Sequence, residues 1–380
     1  RRAEGAADEA AGSAGPSHFT GTNNQVVGVD EADRVKTDGR FIYTVHGAEV
    51  LIIKSWPARA TSVIARIKPG ATPRQLFVNG DKLVVLSSAR TRAMVPRRGA
   101  RRRSLGAFQS ARATIYDIRE RTSPRLLAHV DLQGSLLRAR MIGTEIYMVT
   151  NSQLRLPSSF WSEVNSVPSS PRPYRSYRHP TIPSTAQLDR ARLRRRVRRA
   201  LARVSADELL PRVRFTYAGD RPPAERALLG CSDLYFPASG SRSNYLGLIT
   251  LSHMSLRGGR VNAAAVSGSG VKLYASRDNI YIAAQNVTLG SGQRGTQIHK
   301  FALGRRSGAP RYAASGAVPG YLLNQFAMDE HRGDLRVATT DNGWSRSWRW
   351  RGRAVRGQAS NVFVLRQRQG ELATVGAVRG

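Results

Sequence analysis

Five glycine-ended segments of this chain repeat one pattern of apolar runs, and that repeat restricts the fold more than any other feature. Their tails read IKPG to Gly70, DLQG to Gly134, VSGSG to Gly270, VPG to Gly320 and VRG to Gly380. After each of the first four comes an apolar run, a polar turn and a second apolar run. These are QLFVNGDKLVVL from Gln75, RARMIGTEIYMV from Arg138, KLYASRDNIYIA from Lys272 and QFAMDEHRGDLRVA from Gln325. A supersecondary unit recurring at tens of residues implies a repeat architecture instead of a single-core enzyme fold.

Residues 1–21 are rich in Ala, Gly and Ser, carry no periodic apolar face, and are expected to be a disordered leader or linker. From residue 22 to 380, four β-rich runs per repeat, joined by short turns, predict meander sheets. Such sheets arranged radially make a β-propeller. The expected fold is therefore all-β, with about five four-stranded antiparallel blades near 22–70, 71–134, 135–270, 271–320 and 321–380. Blade three is interrupted near 152–243 by an insertion. Its first part is Pro/Ser-rich; DRARLRRRVRRALARV from Asp189 then predicts a helix, with Leu193, Val197, Ala200, Leu201 and Val204 on one face. Ser205 and Glu208 make a capping-box pattern for a short helix after it. Long connections between second and third strands of blades leave one face of a propeller. The basic loop of blade two, the insertion and the Trp/Arg loop of blade five are expected to share it.

Charge sets the partner class. Lys and Arg total 60 against 26 acids, a net +34, and almost all of the bases are arginine. Such a field attracts polyanions. The partner is expected to be a protein or an anionic polymer; nucleic acid fits the charge but is not favoured over the others. The anion-binding candidates are Arg192, Arg194, Arg195, Arg196, Arg198, Arg199 and Arg203 of the insertion helix. To these the loop of blade five adds Arg346 and Arg349 with Trp348 and Trp350, where aromatic faces could stack on bases or sugars. The bland alternative is a solvated charged face. No stretch approaches the ~20 apolar residues of a membrane-spanning helix. The single cysteine, Cys231, excludes an internal disulfide and a cysteine-based zinc cluster.

Catalytic motifs are sparse. Asp30-Glu31-Ala32-Asp33 spells a helicase box, yet no phosphate-cradling G-x-x-x-x-G-K-[ST] accompanies it. VSGSGV around Ser267 lacks the first glycine of a nucleophile elbow. The seven histidines show no ligand spacing, and His299 in TQIHKFAL reads as a strand residue. A metal hypothesis remains: Asp30, Glu31, Asp33, Asp329, Glu330 and His331 are concentrations of acid in a basic chain, and hard oxygens of this kind suit calcium. Against it, Asp33 and Asp38 can accept backbone N–H groups in turns, and Glu31 can pair with a local arginine. No cofactor is otherwise implied.

TNNQVVGVDEADRVKTDGRFIY resembles the opening signature of a family of secreted bacterial and archaeal proteins known by their beta-propeller domain, distantly related to WD-40 repeats. RMIGTEIYMVTN, LLPR, CSDLYFP, TQIHKFAL, VPGYLLNQFAMDEH and LRVATT extend the resemblance from about residue 20 to the end. It implies a β-propeller and an extracytoplasmic location, secreted or attached to the cell envelope, with any targeting segment outside this chain. It brings no assigned activity. Arg34 stands where the family usually has an apolar residue. The family also continues for further blades, so this chain is expected either to close as five blades or, as is favoured here, to be a fragment or truncated product of a larger ring. The expected function is a non-catalytic binding or scaffold module with an arginine-rich face. The alternative is a metal-assisted enzyme at the mouth of the propeller channel.

Overall fold

The computed structural model describes residues 24–95, 103–153, 156–165, 185–205, 209–237, 241–242, 247–258, 260–268, 270, 272–289, 294–304, 308–341 and 359–380. The chain divides into two compact units. The first comprises Arg1–Thr91, Phe108–Gln153 and Pro211–Gly380; the second comprises Arg92–Ala107 and Leu154–Leu210.

Strand β1 (Asp30–Glu31) precedes a four-stranded antiparallel sheet of β2 (Val35–Thr37), β3 (Phe41–His46), β4 (Glu49–Lys54) and β5 (Ser62–Ile67). The turns between them follow the sequence closely. Gly39 and Gly47 take positive φ values of 92° and 59°, a conformation open to glycine for want of a Cβ. The second sheet is built on β6 (Thr72–Asn79), β7 (Lys82–Val95), β8 (Arg103–Asp117) and β9 (Arg125–Gln133). Next come β10 (Ser135–Ile142) and β11 (Glu145–Gln153), then helices α1 (Ser158–Asn165) and α2 (Thr185–Leu201) of the second unit.

Sequence pattern alone leaves 212–242 without strands, and here the structure differs. β12 (Arg212–Tyr217) and β13 (Ala224–Ala227) extend the second sheet, β12 running antiparallel to β9. The cause is local: RVRFTY puts Val213, Phe215 and Tyr217 on one face in strict alternation. β14 (Leu234–Tyr235) then pairs parallel to a later strand, and β15 (Ser241–Arg242) pairs with another.

β16 (Gly247–Ser255) and β17 (Asn262–Ser267) complete the third sheet, in the order β1-β10-β11-β16-β17-β14. The remaining strands are β18 (Lys272–Ala275), β19 (Asn279–Leu289), β20 (Arg294–Leu303), β21 (Pro310–Pro319), β22 (Met328–His331), β23 (Asp334–Asp341), β24 (Ala359–Arg368) and β25 (Glu371–Arg379). They form one nine-stranded sheet with β15. Its two meanders, β18 to β21 and β22 to β25, meet at a single parallel pairing of Ser315 with Glu371.

Three apolar clusters pack the sheets of the first unit, and the two meanders of its nine-stranded sheet, against one another. Tyr43, Val50 and Ile52 of the first sheet pack on Leu76, Leu83 and Val85 of the second. Tyr147, Val149, Ile249 and Leu251 of the third pack on Ile280, Ile282 and Phe301. Tyr274, Tyr281 and Ile298 pack on Leu335, Val337, Phe363 and Leu365. Burying each such side chain contributes roughly 1.5–3 kcal/mol. Among the described residues no helix is long and apolar enough to cross a membrane.

Candidate functional site

The acidic segment at residues 30–33 joins a polar network around two buried cations, Lys36 and Arg140, while Asp33 itself is exposed. β1 pairs with β10, setting Asp30 opposite Met141 and Glu31 opposite Arg140. Lys36, only 4% exposed, donates from Nζ to Asp30 Oδ1 at 2.6 Å and to the Glu31 carbonyl at 2.6 Å. Arg140, 3% exposed, lies 3.3 Å from Glu31 Oε2 and donates to Gln325 Oε1 at 3.0 Å. Gln325 in turn donates from Nε2 to the Glu31 carboxylate at 3.0 Å. Burial pushes the Arg140 guanidinium below its ordinary pKa, and the Glu31 charge works the other way. A buried charge is tolerated only when paired and hydrogen-bonded, which these groups are.

Backbone contacts carry the same segment across the first unit. Gln25 Nε2 donates to the Met328 carbonyl at 3.0 Å, Arg277 Nε to the Val27 carbonyl at 3.0 Å, and Gln75 Nε2 to the Ala32 carbonyl at 3.1 Å. Asp33 and Leu76 exchange backbone hydrogen bonds of 3.3 and 2.6 Å. From Gln25 to Lys36 the chain therefore touches β22, the turn after β18, β10, β6 and its own first sheet. Sequence reasoning singled out the acids of this segment but not Lys36, Arg140 or Gln325. Lys36 meets Asp30 and Glu31 within six residues, but Arg140 and Gln325 come from distant parts of the chain, so no local signal could have found those two.

Each remaining metal candidate has a protein partner or an exposed position. Asp33 Oδ1 accepts the Arg34 N–H at 2.6 Å, and Asp38 Oδ1 accepts the Phe41 N–H at 2.9 Å. Asp329 pairs with Arg336. Glu330 accepts hydrogen bonds from Ser276 Oγ at 2.6 Å and Asn279 Nδ2 at 2.8 Å. His331 closes the exposed end of β22 opposite Asp334. Among the described residues, no three His, Cys, Asp or Glu side chains converge as a metal site would require.

A second polar cluster was not anticipated from sequence. Glu145 Oε2 lies 2.6 Å from His253 Nε2, while its Oε1 accepts Ser255 Oγ and Thr144 Oγ1, each at 2.9 Å. Burial works to raise the Glu145 pKa, but the hydrogen bonds from His253, Thr144 and Ser255 outweigh it and hold it below the usual value. The hydroxyl and the imidazole both bind the carboxylate and not each other. A nucleophile needs its base within hydrogen-bond reach, so this arrangement orients His253 without activating Ser255. His299 is a fully buried strand residue whose Nδ1 meets Tyr312 OH at 3.1 Å.

The anion-binding candidates divide by location. Arg192, Arg194, Arg195, Arg198 and Arg199 project from α2 as exposed side chains, and Arg196 is half-buried. Arg203, just past the helix, donates to Glu163 of α1 at 3.0 Å. The helix begins at Thr185, four residues earlier than the arginine pattern marks. Arg346, Trp348, Arg349 and Trp350 lie outside the described residues, as do residues 1–21 and Glu208.

Comparison with known proteins now bears on these features. The model of the family described as Beta propeller domain matches residues 19–380. The chain belongs to the beta propeller domain family. An uncharacterised protein of Methanocaldococcus jannaschii is 22% identical over 389 residues, covering 96% of this chain. The chain spans 55% of the length of that curated relative. Among solved structures, a functionally unknown protein from Desulfotomaculum acetoxidans aligns over 93% of this chain and 86% of its own, at 10% identity and a TM-score of 0.30. A hypothetical selenium-binding protein from Sulfolobus tokodaii aligns over 90% of this chain and 76% of its own, at 11% identity and a TM-score of 0.26. Likenesses at those scores carry no argument about this propeller's chemistry.

Proposed function

We propose that this propeller is an extracytoplasmic, non-catalytic binding or scaffold module that meets an anionic partner through the arginines of α2. In this reading it has five four-stranded blades, with the two helices carried between the second and third strands of blade three. One observation carries the functional reading. Arg192, Arg194, Arg195, Arg198 and Arg199 are exposed on one helix, and among the described residues none has an ion-pair partner.

That arrangement stores self-repulsion. Arg194 with Arg198 and Arg195 with Arg199 are like charges four residues apart, each pair destabilising the helix by about 0.2–0.5 kcal/mol. A polyanion offsets this repulsion and gains bidentate contacts from each guanidinium. Counterion release then makes binding fall steeply with salt. The acidic segment supports the same choice, because Asp30 and Glu31 are already matched by Lys36 and Arg140.

The test is retention of the whole chain on immobilised polyanions (DNA, RNA, an acidic glycan) at low and physiological salt. Retention is expected to fall with salt and to be lost when the five arginines are replaced by glutamine. Binding that ignores salt, or survives the replacement, would overturn the reading.

A further inference from the structure

The arginines of α2 do not stand alone. Leu193, Val197 and Leu201 recur at i, i+4 and i+8 and so form one stripe along the helix. Leu193 is 45% exposed, Leu201 is 42% exposed and Val197 is half-buried. At 100° per residue, Arg194 and Arg198 border this stripe on the Leu201 side. α1 packs beside α2 and buries Phe160, yet leaves its neighbour Trp161 49% exposed, the two rings meeting edge to face at 5.2 Å. Of the helix's apolar face, among the described residues, Ala200 is fully covered.

We propose that the α1–α2 pair is an interfacial anchor for an anionic lipid surface. Leu193, Leu201 and Trp161 would enter the boundary between headgroups and acyl chains, while Arg194 and Arg198 contact lipid phosphates. The inference rests on the anionic-partner reading above and names the partner's class. Nucleic-acid phosphates are met by arginine alone, and an exposed leucine gains little against a hydrated polyanion. A lipid surface rewards both, because apolar side chains leave water there and arginine stems lie along the apolar layer with their heads at the phosphates. Tryptophan prefers that boundary for the same reason. The helix has 17 residues, roughly 25 Å at 1.5 Å per residue, and lies along the surface without crossing it.

The experiment is co-sedimentation of the full chain with phosphatidylcholine vesicles, with and without phosphatidylglycerol, alongside duplex DNA as a soluble polyanion. Vesicles containing phosphatidylglycerol are expected to bind the chain and neutral vesicles are not. The double variant Leu193→Gln/Leu201→Gln should lower vesicle partitioning about tenfold or more, from the apolar area no longer buried. DNA retention by the same variant should be unchanged. Acyl chains brominated near the headgroup should quench tryptophan emission of the unaltered chain, less so in Trp161→Phe. DNA binding without vesicle binding, or vesicle binding indifferent to the double variant, would overturn the lipid inference and leave the anionic-partner reading standing. Failure to bind either would remove both.

Discussion

Arg140 and His299 are the two side chains whose loss tests the interior most directly. Arg140, itself buried, joins the part-buried Glu31 and Gln325. Arg140→Ala leaves the part-buried Glu31 without its cation and should destabilise the protein by about 1–3 kcal/mol, read from urea denaturation. Pairing Arg140→Met with Glu31→Gln should cost less than the single change, because no charge is then stranded. His299 makes a pH prediction. Burial pushes its pKa down to about 4 from an ordinary 6.5. The unfolded chain takes up this proton below about pH 6.5, whereas the folded protein resists until about pH 4. Its contribution is therefore fully present above pH 6.5 and is lost as pH falls through that window, by about 2 kcal/mol at pH 5. His299→Gln should flatten that part of the stability profile; a slope identical to the parent's would refute the assignment.

Single elements explain what could be read in advance. The hairpins were legible because each depends on neighbours in sequence: QLFVNG followed by DKLVVL is a strand, a glycine turn with φ of 54° at Gly80, and a strand. The α2 helix was legible for the same reason, although Leu193 and Leu201 of its apolar face stand half out in water. β12 escaped despite its local alternation, because it lies inside an insertion after α2 and pairs with β9, which ends some eighty residues earlier. The seam between the two meanders of the nine-stranded sheet was equally hidden. There Gly316 lets β21 approach β25 so closely that an added Cβ would fall against the Leu372 carbonyl oxygen and 2.8 Å from Leu372 Cβ. Backbone cannot yield as a flexible side chain would. Gly316→Ala should cost about 1–3 kcal/mol and speed amide exchange in β25 more than in β19.

At the scale of the whole molecule, the acids of the DEAD sequence show the limit of local reasoning. Their types suggested metal ligands or turn acceptors, and Asp33 and Asp38 are turn acceptors. What Asp30 and Glu31 do depends on Lys36, Arg140 and Gln325, and the Glu31–Gln325 contact spans 294 positions. Charge was legible as a total of +34, but its exposed concentration on α2 needed coordinates to separate it from the paired arginines of the sheets.

The reach of residues 25–36 also sets an order of events during synthesis. Gln25 bonds to the carbonyl of Met328, 303 positions later. At about 5–20 residues per second, a ribosome takes on the order of 15–60 s to supply that partner. The first sheet can pair its strands long before then, since its hairpins are local. The segment ahead of it must wait, and closing so long a loop late costs only slightly more entropy than closing a shorter one. The part of this chain made first is thus among the last to settle.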